Sequence, residues 1–193
     1  MTDVVFELRG DRLPADYAFG LWDEIVRCVP ALAEDALTGV HPLRLAAGTE
    51  ECLLPKRAKL VVRASAGLVL QALRLSGARL QVGGEALEVG RAVERELTHF
   101  STLQAHLVVG AGDEQAFLEE IDVVMNARGI AAKRICGKRM AIGDPTRGLS
   151  GYALVLHELK PEASLALQYE GLGAGRCYGC GIFVPHKVIA GID

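Results

Sequence analysis

Residues 171–185 read GLGAGRCYGCGIFVP and contain five glycines together with one arginine, Arg176. Backbone N–H groups at glycine can approach an anion closely, and a guanidinium adds a charge-assisted fork for a phosphate. A Walker loop is excluded because no Gly-Lys-Ser or Gly-Lys-Thr ends the run, and a Rossmann loop because a predicted helix precedes it and a strand follows. Anion binding is favoured over a flexible connector that needs glycine only for its backbone conformation.

Histidine is the side chain best suited to proton transfer near neutral pH, and the chain has five. His41 lies between Gly39 and Pro42 at a predicted helix-to-strand junction, a place where side chains reach solvent clefts. It is therefore the favoured candidate for acid–base chemistry, with His99 second. Structural or solvated positions are expected for the remaining three, His106, His157 and His186.

The spacing of possible ligands disfavours metal chemistry. Cys177 and Cys180 form one CxxC pair, whereas a structural zinc site takes four ligands, usually from two such pairs. The other cysteines are scattered, and paired carboxylates fit solvated helix faces. No metal and no cofactor is expected. Free cysteines, no secretory signal and no membrane-spanning apolar run indicate a reducing, cytoplasmic setting without membrane association.

Positive charge is clustered although the whole chain is acidic. The chain has 193 residues, a net charge of −3 and a pI near 6.0, below the value typical of nucleic-acid-binding domains. Residues 52–63 contain no acid and four bases, Lys56, Arg57, Lys59 and Arg63. Residues 133–147 contain one acid and five bases, Lys133, Arg134, Lys138, Arg139 and Arg147. Such clusters attract a polyanion, and solvated strand faces are the alternative interpretation.

A weak internal repeat indicates which elements position these residues. Each half of the chain has the order strand, helix, strand, strand, helix, strand. This order predicts an α+β fold with two tandem ferredoxin-like (RRM-like, βαββαβ) domains, residues 1–95 and 96–193. The first carries His41 and the second carries the glycine-rich loop.

Local signals set the limits of several elements. The periodicity predicts a helix over 15–33 that starts at Pro14 and ends or kinks at Pro30, and a short amphipathic helix over 65–77. Gly83–Gly84 fits the turn of a tight hairpin. A helix is predicted over 113–129, with Asp113 as N-cap and Gly129 as C-cap.

Three segments resemble the CRISPR repeat-RNA endoribonucleases of the RAMP superfamily, most closely the MYXAN subtype. They are FELRGDRLPADYAFGLWDEIV at the start, TGVHPLR around residue 41 and GLGAGRCYGCGIFVP at the end. Together they span nearly the whole chain. The resemblance implies two ferredoxin-like domains, metal-independent cleavage of CRISPR precursor RNA within its repeats, and retention of the guide RNA. It also suggests other CRISPR effector subunits as partners.

The same resemblance assigns roles to residues. It implies that His41 carries catalysis, with Tyr17 and Lys56 as the nearest matches to the family's assisting tyrosine and lysine. It implies that the RNA backbone is gripped by the glycine-rich loop, at Gly173, Gly175, Arg176, Gly179 and Gly181. The basic segments would line the RNA path through Arg57, Lys59, Lys133, Arg134, Lys138, Arg139 and Arg147.

The chemistry is consistent with this family without any metal. The 2′-OH of RNA can attack the adjacent phosphorus, which gives a 2′,3′-cyclic phosphate and a 5′-OH, so DNA would not be cut. Two alternatives stay open. One is a non-catalytic RNA-binding subunit of the same superfamily. The other is a ferredoxin-like ligand- or protein-interaction module in which the glycine-rich loop is a linker.

Overall fold

A computed structural model describes residues 1–46, 51–110, 112–143 and 146–186. The chain divides into two units. The first comprises Met1–Leu97, the described part of 142–148 and Arg176–Gly179. The second comprises Thr98–Ala141, Leu149–Gly175 and the described residues from Cys180 onward. The main division thus falls beside the predicted boundary at residue 95, and two short segments of the second half belong with the first unit.

The first unit is built on a five-stranded sheet. Its elements are β1 (Thr2–Arg9), β2 (Arg12–Pro14), α1 (Tyr17–Cys28), β3 (Gly39–Val40), β4 (Glu51–Leu53), β5 (Lys59–Ala64), α2 (Val69–Ala72), β6 (Arg79–Val82) and β7 (Glu85–Glu96). The strand order is β3-β5-β1-β7-β6, and β2 pairs separately with β4. Strands β3, β5, β1 and β7 therefore have the ferredoxin-like order, and β6 extends it through the predicted Gly83–Gly84 hairpin.

Alternation along β1 separates the two faces of this sheet. Val4, Phe6 and Leu8 are buried in the hydrophobic core, together with Leu21 and Ile25 of α1. Each such side chain contributes about 1.5–3 kcal/mol when removed from water. The intervening residues of β1, Asp3, Val5 and Glu7, point to the opposite face. The candidate site lies on that face.

The first predicted helix is shorter than expected. Pro14 ends β2 instead of starting the helix, because Arg12–Pro14 pairs with β4, and α1 begins at Tyr17. At the other end α1 stops at Cys28, and Pro30 opens a 3-10 turn. Proline cannot supply the backbone N–H that a continuing helix needs.

The predicted helix over 65–77 is mostly 3-10. Only Val69–Ala72 is α-helical, with 3-10 turns at Ala66–Leu68 and Leu73–Leu75. Its buried residues, Val69, Ala72 and Leu75, are three positions apart. A 3-10 helix has three residues per turn, so it places all three on one face where an α-helix would rotate them apart.

The second unit has the ferredoxin-like order without additions. Its elements are β8 (Thr102–Val109), α3 (Glu114–Ala127), β9 (Lys133–Gly143), β10 (Gly148–His157), α4 (Pro161–Glu170) and β11 (Phe183–Pro185), and the strand order is β11-β8-β10-β9. The predicted N-cap of α3 is confirmed, since Asp113 Oδ1 accepts a hydrogen bond from Ala116 N at 3.0 Å. The C-cap is Arg128 and not the predicted Gly129, which is the next residue and has a φ of 64°. The predicted fold class is confirmed.

Within the described residues, no helix is both long enough and apolar enough to span a membrane.

Candidate active site

His41 directly follows β3 and continues its pairing with β5. Its backbone N–H donates to the carbonyl of Val61 at 2.9 Å. Because Gly39 is paired with Arg63, the imidazole lies on the same sheet face as the side chains of Arg63 and Asp3. The residue is 9% exposed.

A charge cluster surrounds the imidazole, in which Asp3 and Arg63 are buried and the side chain of Arg95 is 59% exposed. Asp3 is 1% exposed, and its carboxylate accepts Arg63 Nε at 2.7 Å and Arg63 Nη2 at 3.2 Å. Arg95 Nη2 donates to the second carboxylate oxygen at 2.9 Å. His41 Nε2 lies 3.3 Å from Asp3 Oδ1, an ion-pair distance without the alignment of a hydrogen bond. These side chains meet because β5, β1 and β7 are adjacent, and both arginines are in register with Asp3.

This environment sets the charge of the ring. Burial lowers the pKa of the His41 imidazole; the Asp3 carboxylate opposes that change, and Arg63 and Arg95 add to it. Burial alone would raise the pKa of the Asp3 carboxyl, but interactions with His41 and Arg63 outweigh it and hold that pKa well below its ordinary value. Near neutral pH, His41 is therefore neutral beside an ionised Asp3, and a neutral imidazole can accept a proton.

Tyr17 supports the chain segment that follows His41. It is the first residue of α1, and its hydroxyl accepts a hydrogen bond from Leu43 N at 2.8 Å. Burial raises the pKa of Tyr17 to about 12, so the phenol stays protonated. The structure thus places the hydroxyl of this predicted assistant on the backbone N–H of Leu43, two residues after His41.

The cations of the first basic segment are exposed, apart from Arg63. Lys56 and Arg57 lie in the turn between β4 and β5, and Lys59 begins β5. In the part of the chain that the structure describes, none of the three has an ion-pair partner. Lys59 lies on the same sheet face as Val61, which is the neighbour of His41 across the strand pair. Two residues along a strand span about 7 Å, so Lys59 begins about that far from Val61.

The second basic segment is largely neutralised by carboxylates. Arg134 bonds to Asp122 and Lys133 to Glu158, both at 2.6 Å. Arg147 lies 3.2 Å from Asp23, with its guanidinium 5.0 Å from the centre of the Phe19 ring. Only two of the five cations, Lys138 and Arg139, are exposed without an ion pair to a described residue.

The glycine-rich loop is closely packed. Gly173, Gly175, Gly179 and Gly181 all have φ between 63° and 89°, the left-handed region that favours glycine. At Gly181 a Cβ would come within 2.0 Å of a backbone carbonyl oxygen. Gly181 N donates to Leu107 O, and Cys180 N to Gly175 O. The glycines are therefore required by the backbone, and among residues 171–184 the stretch at 173–174 is exposed while the others are buried or half-buried.

Arg176 attaches this loop to the chain segment that leads to His41. It is 7% exposed, and its Nε donates to Leu37 O at 3.2 Å. At Gly179 a Cβ would lie 3.1 Å from the ring of Pro42, the residue after His41. The structure thus brings His41 and the loop together, while the Arg176 side chain points inward and not toward solvent.

Sequence reasoning did not assign a role to Asp3 or Arg95. The available signal was an acid among the apolar residues of β1, but only the strand register shows what it contacts. The other histidines are exposed or half-buried. Among the described residues no three His, Cys, Asp or Glu side chains form a metal-binding group, and neither Cys177 nor Cys180 forms a disulfide with a described residue.

Three features define the class of this protein as RAMP. They are the two ferredoxin-like units, the histidine that follows β3, and the glycine-rich loop that precedes β11. The Cas6 family model, described as Cas6 Crispr, matches residues 2–188. A CRISPR-associated endonuclease Cas6 from Myxococcus xanthus (strain DK1622) is 34% identical over 186 residues, covering 95% of this chain and 81% of that protein. The chain belongs to the Cas6 family, which confirms the predicted family and, with it, the predicted class of CRISPR-associated endoribonuclease.

Solved structures agree on the fold. A Cas6-related protein from Pyrococcus furiosus superimposes with a TM-score of 0.67 at 11% identity, covering 96% of this chain and 98% of that one. Thermus thermophilus Cse3, bound to an RNA representing a pre-cleavage complex, gives a TM-score of 0.52 at 14% identity, with 95% and 97% covered. At such identities the likeness shows a shared fold alone.

Proposed function

We propose that this Cas6 protein cleaves CRISPR precursor RNA within its repeats, without a metal ion, and that His41 performs the proton transfer. The observation that carries the proposal is an imidazole next to the Asp3–Arg63–Arg95 charge cluster, on the segment that contacts the glycine-rich loop. The lowered pKa of this imidazole agrees with a role in accepting a proton. The M. xanthus relative, named an endonuclease, supports the activity. RNA bound to the T. thermophilus protein supports RNA as the class of ligand.

The reaction is a transesterification. The neutral imidazole takes the 2′-OH proton as O2′ bonds to the adjacent phosphorus, and the P–O5′ bond breaks. The leaving O5′ takes a proton from water, the imidazolium of His41 returns its proton to the solvent, and the products are a 2′,3′-cyclic phosphate and a 5′-OH. Such proton transfer accelerates a reaction by about 10²–10⁴-fold. DNA has no 2′-OH, so it is not cut.

Exposed cations supply the electrostatic part of this proposal. Lys56, Arg57 and Lys59 are exposed on the first unit and available to phosphates, and Lys138 and Arg139 are exposed on the second unit. The glycine-rich loop contributes its exposed backbone at 173–174. Arg176 holds the loop from inside, a role that replaces the expected phosphate fork.

Two further parts of the proposal concern the cellular setting. The protein retains the cleaved RNA and delivers it to other CRISPR effector subunits. It acts in the cytoplasm, where its five cysteines, which form no disulfide in the described residues, persist as thiols.

The burial of His41 favours one competing function, RNA binding without cleavage. A ring that is 9% exposed reaches a ribose only through a small opening or after a local movement. A non-catalytic subunit would bind repeat RNA equally well and leave it intact.

The deciding experiment incubates purified protein with end-labelled repeat RNA in EDTA. We expect cleavage to a 2′,3′-cyclic phosphate, and no cleavage when the nucleotide at the cut site is 2′-deoxy. His41→Ala should reduce the cleavage rate by about 10²–10⁴-fold and leave binding nearly unchanged. His106→Ala, an exposed histidine of β8, is the matched control. Tight binding with no cleavage by the wild-type protein selects the competing function.

A further inference from the structure

The carboxylate of Asp3 is an expensive group to bury. It is 1% exposed, as is Arg63, its bidentate partner. Replacing a buried ion pair with apolar residues of similar volume is often neutral or stabilising, so stability alone does not account for this pair. The imidazole of His41 lies 3.3 Å from this carboxylate, and that contact gives the carboxylate a functional interpretation.

We propose that Asp3 is a positioning residue for His41. Asp3 fixes the orientation of the imidazole and its tautomer, with the proton on Nε2, so that Nδ1 is the basic nitrogen. The inference deepens the proposed function and rests on it, because it assigns the atom of His41 that accepts the 2′-OH proton.

The tautomer follows from the contact distance. Nε2 lies 3.3 Å from Asp3 Oδ1, an oxygen that already accepts Arg63 Nε at 2.7 Å. An unprotonated Nε2 would place its lone pair against a carboxylate, whereas a protonated Nε2 presents a positive N–H. The neutral ring therefore carries its proton on Nε2 and its lone pair on Nδ1.

The charges around the ring come from each strand beside it. Asp3 lies on β1, Arg63 on β5 and Arg95 on β7. Of the other elements near this segment, α1 provides Tyr17, which stays protonated and bonds to Leu43, and the glycine-rich loop provides Arg176, which bonds to Leu37. Asp3 stabilises an imidazolium and the two arginines destabilise it. Removing the charge of Asp3 must therefore lower the pKa of His41, and removing the charge of an arginine must raise it.

The test is a ¹⁵N-histidine NMR titration of the full chain, with the His41 signal assigned by its loss in His41→Ala. In the wild type we expect the Nε2–H tautomer. Asp3→Asn should lower the pKa of His41 further, and Arg95→Gln should raise it. Arg91→Gln is the matched control, because Arg91 is an exposed arginine on the same strand as Arg95. It should leave the titration unchanged.

Cleavage provides the second measurement. Asp3→Asn should slow single-turnover cleavage at least about tenfold, because the ring loses its fixed tautomer. The acidic limb of the pH–rate profile should move to lower pH in Asp3→Asn and to higher pH in Arg95→Gln. If Asp3→Asn does not fold, Arg95→Gln decides the question, because it keeps the Asp3–Arg63 pair.

The results separate this inference from the proposed function. A Nδ1–H tautomer, or a His41 titration that both variants leave unchanged, overturns the role of Asp3 even if His41 is catalytic. Undiminished cleavage by His41→Ala overturns the catalytic proposal, whereas the NMR titration still measures the coupling of Asp3 to His41.

Discussion

The two basic segments look alike in sequence but differ in structure. In 52–63, Arg63 is buried against Asp3, and the other three cations have no ion pair to a described residue. In 133–147, three of the five cations are bonded to carboxylates, and all three are at exposed positions. Clustered charge in a sequence therefore does not show which cations are available to a ligand, because the partners come from other elements.

The largest expected effect is on stability, in the first segment. Arg63→Met should destabilise the protein by about 3–5 kcal/mol, because it leaves the Asp3 carboxylate buried without its bidentate partner. Urea denaturation measures the loss. Lys59→Met, an exposed position on the same strand, should change stability by no more than about 0.5 kcal/mol.

A double variant sharpens this prediction. Asp3→Leu combined with Arg63→Met removes both buried charges and should recover much of the lost stability. The contrary result is that Arg63→Met alone lowers the free energy of unfolding as little as Lys59→Met does. The buried pair would then differ little from a surface pair, and the contrast between the segments would disappear.

The second effect is on RNA binding. Arg57→Gln with Lys59→Gln removes two unpaired cations, and Lys133→Gln with Arg134→Gln removes two paired ones, so both variants lose the same formal charge. We expect the first variant to weaken repeat-RNA binding more and to flatten the dependence of log K on log salt by about 0.7–0.9 for each lost phosphate contact. Equilibrium binding across a range of salt concentrations measures both quantities.

The second variant should show a smaller change in slope, because Glu158 and Asp122 already engage those cations. Surface pairs are weak, about 0–1 kcal/mol, so some residual contribution is expected. Equal changes in slope for both variants would show that internal pairing does not decide which cations bind RNA.

Periodicity and element order predicted the fold well. The alternation of apolar residues along the strands and the order of elements in each half are local properties, and they were enough for the tandem ferredoxin-like fold. The error at 65–77 has a local cause too, since Val69, Ala72 and Leu75 suit a three-residue repeat. Arg12–Pro14 could not be predicted as a strand, because its pairing with β4 is formed across a long separation.

The candidate site was predictable only in part. His41 and the glycine-rich loop were identified from residue type and motif, and the structure brings them together. Asp3 and Arg95 were not, because 92 positions separate them in sequence and their hydrogen bond depends on the register of β1 with β7. The hydrogen bond of Arg176 was not predictable for the same reason, since its acceptor, the carbonyl of Leu37, lies in the other half of the chain.

The smallest expected effect is a loss of stability in acid. It arises at His41, which contacts the Asp3–Arg63 pair of the first segment, and not at the surface pairs of the second. Since burial holds the pKa of His41 below 6.5, the unfolded state takes up a proton before the folded state does as the pH falls. The stabilisation is therefore complete above about pH 6.5 and declines below it, by no more than about 1.4 kcal/mol for each unit of pH. Asp3 adds a further loss, with the same sign, only below about pH 4.

Urea denaturation at pH 7.5 and pH 5.5 tests this. The wild-type protein should lose more stability between these values than His41→Gln, which has no imidazole to protonate in the buried cluster. Lys133→Gln should behave like the wild type, because the pKa of Glu158 is lowered from an already acidic value and the carboxylate stays ionised throughout this range. An equal pH dependence in the wild type and His41→Gln would place the acid-sensitive group outside the Asp3 cluster.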